Sequence, residues 1–184
     1  MARWFVSICV LLFAHGFAIA QNGDSVVVTR STTNPNRFDC DIGFATFTTP
    51  TGWNPNRSGK PSYAILTPDG ETYPKMTKMI SIDGGKPVVP TSQGMAKVLA
   101  KQWNGKVLEE TVKLDEEVAY RVTCEPNPKQ LKPIDCILVV KDGRVLMLIA
   151  GATKSGETDE ALNELVASWK WKKSAEAKSE KKPR

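Results

Sequence analysis

Histidine is nearly absent from this chain. The one histidine in 184 residues is His15, and it stands in a segment that reads as a leader. Met1-Ala2-Arg3 is a short cationic start, residues 4–17 (WFVSICVLLFAHGF) are mostly apolar, and Ala18-Ile19-Ala20 has the small-residue form of a cleavage site. Together they have the three parts of a secretory signal peptide, cut between Ala20 and Gln21. Cleavage removes His15 and Cys9. The 164 residues that remain hold three cysteines and no histidine. That excludes a Ser-His-Asp triad, a Cys-His pair and every histidine-ligated metal site.

Other absences narrow the reading further. Beyond the leader no apolar run approaches the ~20 residues needed to cross a bilayer. Residues 134–150 come closest, but Lys141, Asp142, Gly143 and Arg144 interrupt them. No cysteine follows the cleavage site to carry a lipid anchor. There is no P-loop, dinucleotide fingerprint or nucleophile elbow, and three thiols without CxxC spacing give no closed zinc set. No cofactor is called for. The expected product is periplasmic or secreted, without a transmembrane segment.

The sequence pI is about 9.0, yet the basicity is local. Residues 170–184 carry seven Lys/Arg against two Glu, a net +5, whereas residues 21–169 carry 17 basic and 18 acidic side chains. A near-neutral body argues against nucleic acid as a partner. The tail offers at most a weak contact with an anionic surface.

The length fits one domain. Val26-Val27-Val28 is a short strand candidate in a polar stretch, and residues 38–49 read as one strand with Ile42, Phe44 and Phe47 inward. Pro50-Thr51-Gly52-Trp53 forces a turn. Residues 54–75 are rich in Pro, Gly, Asn and Ser around a short strand at Tyr63-Ala64-Ile65-Leu66. Residues 76–82 form the next strand, closed by Asp83-Gly84-Gly85. Over residues 91–104 the period changes. Met95, Val98, Leu99 and Trp103 share one helix face, with Thr91 or Ser92 as N-cap and Gly105 as the left-handed terminator. Four strands follow, at 107–113, 118–124, 134–141 and 144–151. The last two turn at Asp142-Gly143, the strongest hairpin signal in the chain. A second helix spans residues 159–169, capped by Thr158, with Leu162, Leu165, Val166 and Trp169 as its stripe. From Lys170 the periodicity is lost. The resulting class is α+β: an antiparallel β-sheet covered by amphipathic helices.

This order of elements resembles the PsbP-like superfamily, which includes the bacterial envelope protein DcrB. The resemblance rests on residues 44–53 (FATFTTPTGW), which end in Pro-x-Gly-Trp, on the helix at 95–103 and the strand beginning Val107-Leu108-Glu109-Glu110. It also rests on the hairpin at residues 139–145 and a final helix ending Ser168-Trp169. It implies a PsbP-like α/β/α sandwich. The corresponding division is signal peptide 1–20, polar leader 21–36, one domain 37–171 and a disordered basic tail 172–184. Members named in this superfamily bind or assist other molecules, so the resemblance implies a non-enzymatic binding or accessory protein of the bacterial cell envelope, with a protein or lipid partner.

Candidate chemistry remains sparse. Cys124 and Cys136 flank one loop, and export to an oxidising compartment favours a disulfide between them, leaving Cys40 buried, paired between chains, or competing for a partner. Trp53 follows a turn and is the aromatic expected to touch a ligand. Trp103 and Trp169 read as core, and Trp171 as a cap on it. Asp39 and Asp41 share a strand face and keep open a carboxylate-dependent hydrolase or lyase. Glu109, Glu110, Asp115, Glu116 and Glu117 read as solvated turn and edge charges. Asn56-Arg57-Ser58 is a formal glycosylation sequon. A third reading is a secreted, host-directed factor.

Overall fold

The computed structural model describes residues 26–56, 62–72, 74–126 and 132–172. The expected signal peptide with its Ala20/Gln21 junction, Arg57 and Ser58 of the sequon, most of the loop between Cys124 and Cys136, and the tail from residue 173 lie outside the described residues. The expectations placed on them are neither met nor corrected here.

Among the described residues eleven strands and two helices follow in the order β1 (Val27–Arg30), β2 (Phe38–Asp41), β3 (Ala45–Thr48), β4 (Trp53–Asn56), β5 (Ser62–Pro68), β6 (Met79–Gly85), α1 (Ser92–Trp103), β7 (Lys106–Leu114), β8 (Glu117–Cys124), β9 (Ile134–Lys141), β10 (Arg144–Gly151), α2 (Asp159–Ser168) and β11 (Lys170–Trp171). They form two sheets. One has seven strands in the order β4-β5-β6-β10-β9-β8-β7, and the other has four in the order β1-β2-β3-β11. All the pairings are antiparallel. The molecule is therefore α+β, as its sequence predicts.

Side-chain alternation places the layers. On β10, Val145 and Ile149 point to α1, while Leu146, Leu148 and Ala150 point to the opposite face. On β9, Cys136 and Leu138 face α1, and Ile137 and Val139 face away. The α1 side is built from Met95, Ala96, Leu99, Ala100 and Trp103 packed over β7, β8 and β9. The other side holds the larger core. There Cys40, Ile42, Ala45 and Phe47 of the four-stranded sheet join Ala161, Leu162 and Leu165 of α2, with Trp169 beyond its end. The inner strands β6, β9 and β10 are thus buried almost without a break, because both of their faces are covered.

The expected single strand over 38–49 is two. Gly43 adopts φ 86, its N–H donates to Asp41 Oδ1 at 2.8 Å, and Ile42 N–H donates to Ala45 O at 3.0 Å. This turn folds β2 back on β3 with Cys40 opposite Phe47. At the β9–β10 hairpin the expectation holds: Asp142 (φ 49) and Gly143 (φ 69) both take the positive φ that a type I′ turn needs. α1 is capped by Thr91, whose side chain accepts from Gly94 N, but the left-handed residue at its end is Asn104, not Gly105. Gly105 is required for another reason. A Cβ there would stand 2.3 Å from the Thr123 carbonyl oxygen. Residues 170 and 171 do not fray; they form β11, with Lys170 opposite Thr46 and Trp171 opposite Ala45.

Candidate functional site

The type I′ turn brings Lys141 and Arg144 opposite each other at the tip of β9 and β10. The β2–β3 turn delivers Phe44 to the same end, β5 delivers Tyr63, and β11 delivers Trp171. Arg144 Cζ lies 5.4 Å from the Phe44 ring centroid, and Lys141 Nζ lies 5.6 Å from that of Trp171. Both separations are within cation–π range. Phe44 stacks on Trp171 at 6.2 Å and meets Tyr63 edge-on at 5.2 Å. Trp171 in turn meets the buried Trp169 at 5.6 Å, and Trp169 stacks on Phe47 at 5.4 Å. A continuous aromatic column thus runs from the core to the surface. Its outer members Phe44, Tyr63 and Trp171 are half-buried, and Arg144 is exposed.

Ion pairs fix the frame of this end. Lys141 pairs with Glu117, which holds the lysine above its usual range. Lys170 pairs with Asp115 at 2.8 Å. Asp115 also accepts the Trp171 backbone N–H at 3.1 Å, and these contacts, Lys170 first, hold its carboxyl below the usual range. Lys172 pairs with Asp41 at 2.5 Å, and its backbone N–H donates to Phe44 O at 2.9 Å. The Trp171 indole donates to Leu114 O at 3.0 Å. Among the described residues Arg144 makes no ion pair.

A second cluster lies inside the seven-stranded sheet. Asp83 is 1 % exposed, on β6 between β5 and β10, opposite Ser62 and Met147. Ser81 Oγ donates to Asp83 Oδ1 at 2.5 Å, and Ser62 Oγ is 3.0 Å from Ser81 Oγ. Burial pushes the Asp83 carboxyl above its usual range, against the pull of Ser62 and Ser81. Next to it, a Cβ on Gly84 would stand 2.7 Å from Tyr63 Cε2 and 3.0 Å from Val145 O. Glycine at this position lets the Tyr63 ring lie on the sheet.

The residues singled out from sequence fare unevenly. Trp53 is 8 % exposed and packs in the main core, so the expected ligand contact is corrected. β4 pairs it with Pro68 and turns the ring inward. The expected Cys124–Cys136 disulfide is also corrected. Cys124 stands opposite Ile134 and Cys136 opposite Val122, which sets the two thiols on a diagonal. Diagonal neighbours on one face are ~7–8 Å apart, beyond disulfide reach. Cys124 Sγ donates to Trp103 O at 2.9 Å, and no disulfide joins Cys40, Cys124 and Cys136. All three are buried. Burial, and then Asp39, pushes the Cys40 thiol up to about 12, and burial likewise lifts Cys136 well above its usual value.

Asp39 and Asp41 alternate with the buried Cys40 and so share a face of β2, but each has its own structural partner: Thr48 Oγ1 donates to Asp39 at 2.8 Å, and Asp41 takes Gly43 and Lys172. Asn56 Nδ2 donates to Thr67 Oγ1 at 2.5 Å. Among the described residues no group of three or more His, Cys, Asp or Glu converges on a metal position, and no helix is long and apolar enough to cross a membrane.

Sequence reasoning missed Arg144, Tyr63 and Asp83. Arg144 carried a signal, since a type I′ turn places its two flanking residues together. Asp83 gave the opposite signal, because Asp-Gly-Gly reads as a turn.

No family model matches the chain, and no curated protein does. Among solved structures it is similar to a crystal structure from Bacteroides thetaiotaomicron VPI-5482, with 12 % identity over 72 % of this chain and a TM-score of 0.49. The chain spans about half of that protein, 47 % of its length. It is also similar to the solution structure of cyanobacterial PsbP (CyanoP) from Synechocystis sp. PCC 6803, with 12 % identity over 85 % of this chain, 100 % of that one and a TM-score of 0.45. Both likenesses are of overall fold, and the PsbP-like resemblance is one of architecture alone.

Proposed function

We propose that this chain is an exported, non-enzymatic binding or accessory protein of the bacterial cell envelope, and that it meets its protein or lipid partner through the aromatic end. One observation carries the reading. Phe44, Tyr63 and Trp171 are half-buried in a single column beneath an exposed Arg144 that makes no ion pair among the described residues. Aromatic rings held rigid by packing, with a guanidinium above them, are the residue types that dominate binding energy at interfaces. Their rotamer entropy is already spent, so binding costs less. The leader sequence supports export, and the structural partners of Asp39, Asp41, Asp115 and Glu117 leave these carboxylates tied to the fold.

The test is recovery of the partner from envelope extract by the wild-type protein and by Arg144→Glu. The reading predicts a discrete species that wild type retains and the variant loses at unchanged thermal stability. Equal recovery by the two proteins, or none by wild type, would overturn it.

A further inference from the structure

We infer that Asp83, acting through Ser62 and the β5 bulge, is a proton-operated latch on Tyr63, and hence on the aromatic end. The latch gives regulatory meaning to the surface proposed above, and in that respect it rests on that reading.

The parts are contiguous. Ser62 lies opposite Asp83, Ala64 lies opposite Ile82, and the register shifts between them. Tyr63 is therefore the extra residue of a β-bulge, the kind of irregularity that re-aims a side chain. Its ring lies on Gly84, the neighbour of Asp83, and its edge meets Phe44 at 5.2 Å. Ser62, the residue before Tyr63, is within 3.0 Å of Ser81 Oγ, whose hydroxyl donates to Asp83. Any movement of Ser62 reaches Tyr63 through one peptide bond and Phe44 through one ring contact.

The driving charge is equally local. Asp83 is fully buried on the inner strand β6, and desolvation disfavours its charged form. Among the described residues no charged side chain offsets that penalty; the hydroxyls of Ser62 and Ser81 do. On β10 its opposite residue is Met147. On β9 the titratable group coupled to it is Cys136, which burial keeps a neutral thiol. α1 packs chiefly over β7, β8 and β9, and its lysines Lys97 and Lys101 are exposed. Ionised Asp83 thus draws on these two hydroxyls, and on water for the rest. It lies opposite Ser62, and ionisation draws the hydroxyls of Ser62 and Ser81 onto the carboxylate. That exchange parts Ser62 from Ser81 and shifts the bulge.

Ring resonances of ¹³C-labelled tyrosine test the latch on the free protein, so the outcome is independent of any partner. The chain has three tyrosines, and Tyr63→Phe assigns the signal. Between about pH 4 and about pH 9, above the ordinary range of Asp and below that of Tyr, Tyr63 should show one titration. Its midpoint should lie above the ordinary Asp value of ~3.9. Asp83→Asn should abolish it. Ser62→Ala, which keeps the acid and cuts the link, should reduce its amplitude by more than half. A flat Tyr63 signal in wild type, or an unchanged titration in either variant, would overturn the latch. Should Asp83→Asn fail to fold, Ser62→Ala decides alone. A titrating Tyr63 alongside failed partner recovery would leave the latch standing and remove the surface.

Discussion

Asp83 and Gly84 are neighbours on β6 and contribute to it in opposite senses. Gly84 admits the Tyr63 ring against the sheet, whereas Asp83 brings a carboxyl into a place where charge is costly. The stability consequence has a definite sign. A carboxyl raised in the folded state binds its proton more tightly there than in the unfolded chain. Its contribution is therefore complete below the unfolded value of ~3.9 and is lost as pH rises to the folded value. Relative to Asp83→Asn, which does not titrate, wild type should lose stability across that interval and then level off, as denaturant unfolding at a series of pH values would show. The cysteines give a second prediction at this scale. No disulfide joins the three described cysteines, so a reductant should leave the melting temperature of the protein unchanged, and these three thiols should react only after unfolding. Asp83 was illegible in the sequence because Asp-Gly-Gly has the local chemistry of a turn. Its place in a buried strand is decided by β5 and β10 on either side, which no local pattern encodes. Trp53 misled for a similar reason: the turn before it was legible, but the strand it begins was not.

Periodicity alone revealed the elements that depend on local rules. The meander β7 to β10, both helices and the Asp142-Gly143 hairpin all appear where the pattern of apolar residues and turn residues put them. The cap of α1 is one such rule, and Thr91→Ala should cost about 1 kcal/mol of stability by removing the acceptor for Gly94 N–H. Gly105 shows where the rule was right for the wrong reason. Asn104 takes the left-handed turn, and Gly105 is excluded from change by the Thr123 carbonyl 2.3 Å from any Cβ. Gly105→Ala should cost about 1–3 kcal/mol, the usual range for forced overpacking, while Asn104→Gly should be tolerated; thermal melts of the two separate these effects. β11 was invisible because two residues carry no period. Its position comes from long-range contacts: pairing with β3 and the Asp115 carboxylate that holds Lys170 and the Trp171 N–H.

At the scale of the molecule, two sheets share one core, and the column Phe47–Trp169–Trp171–Phe44 joins that core to the surface. Trp169 is 0 % exposed at its base. Trp169→Ala should cost about 3–5 kcal/mol. The pairing of β6 with β10 brings together segments separated by α1 and a whole meander, so the strand order was beyond sequence reasoning even where each strand was not. The aromatic end exists only through that order, since its residues come from β5, β9, β10, β11 and the β2–β3 turn. Its use as a contact surface is best tested by placing a photo-crosslinking amino acid in the full-length protein expressed in cells, either at position 144 or at position 97 on the exposed side of α1. The account predicts one discrete crosslinked species from position 144 and none from position 97. The same species from both positions, or from position 97 alone, would contradict it.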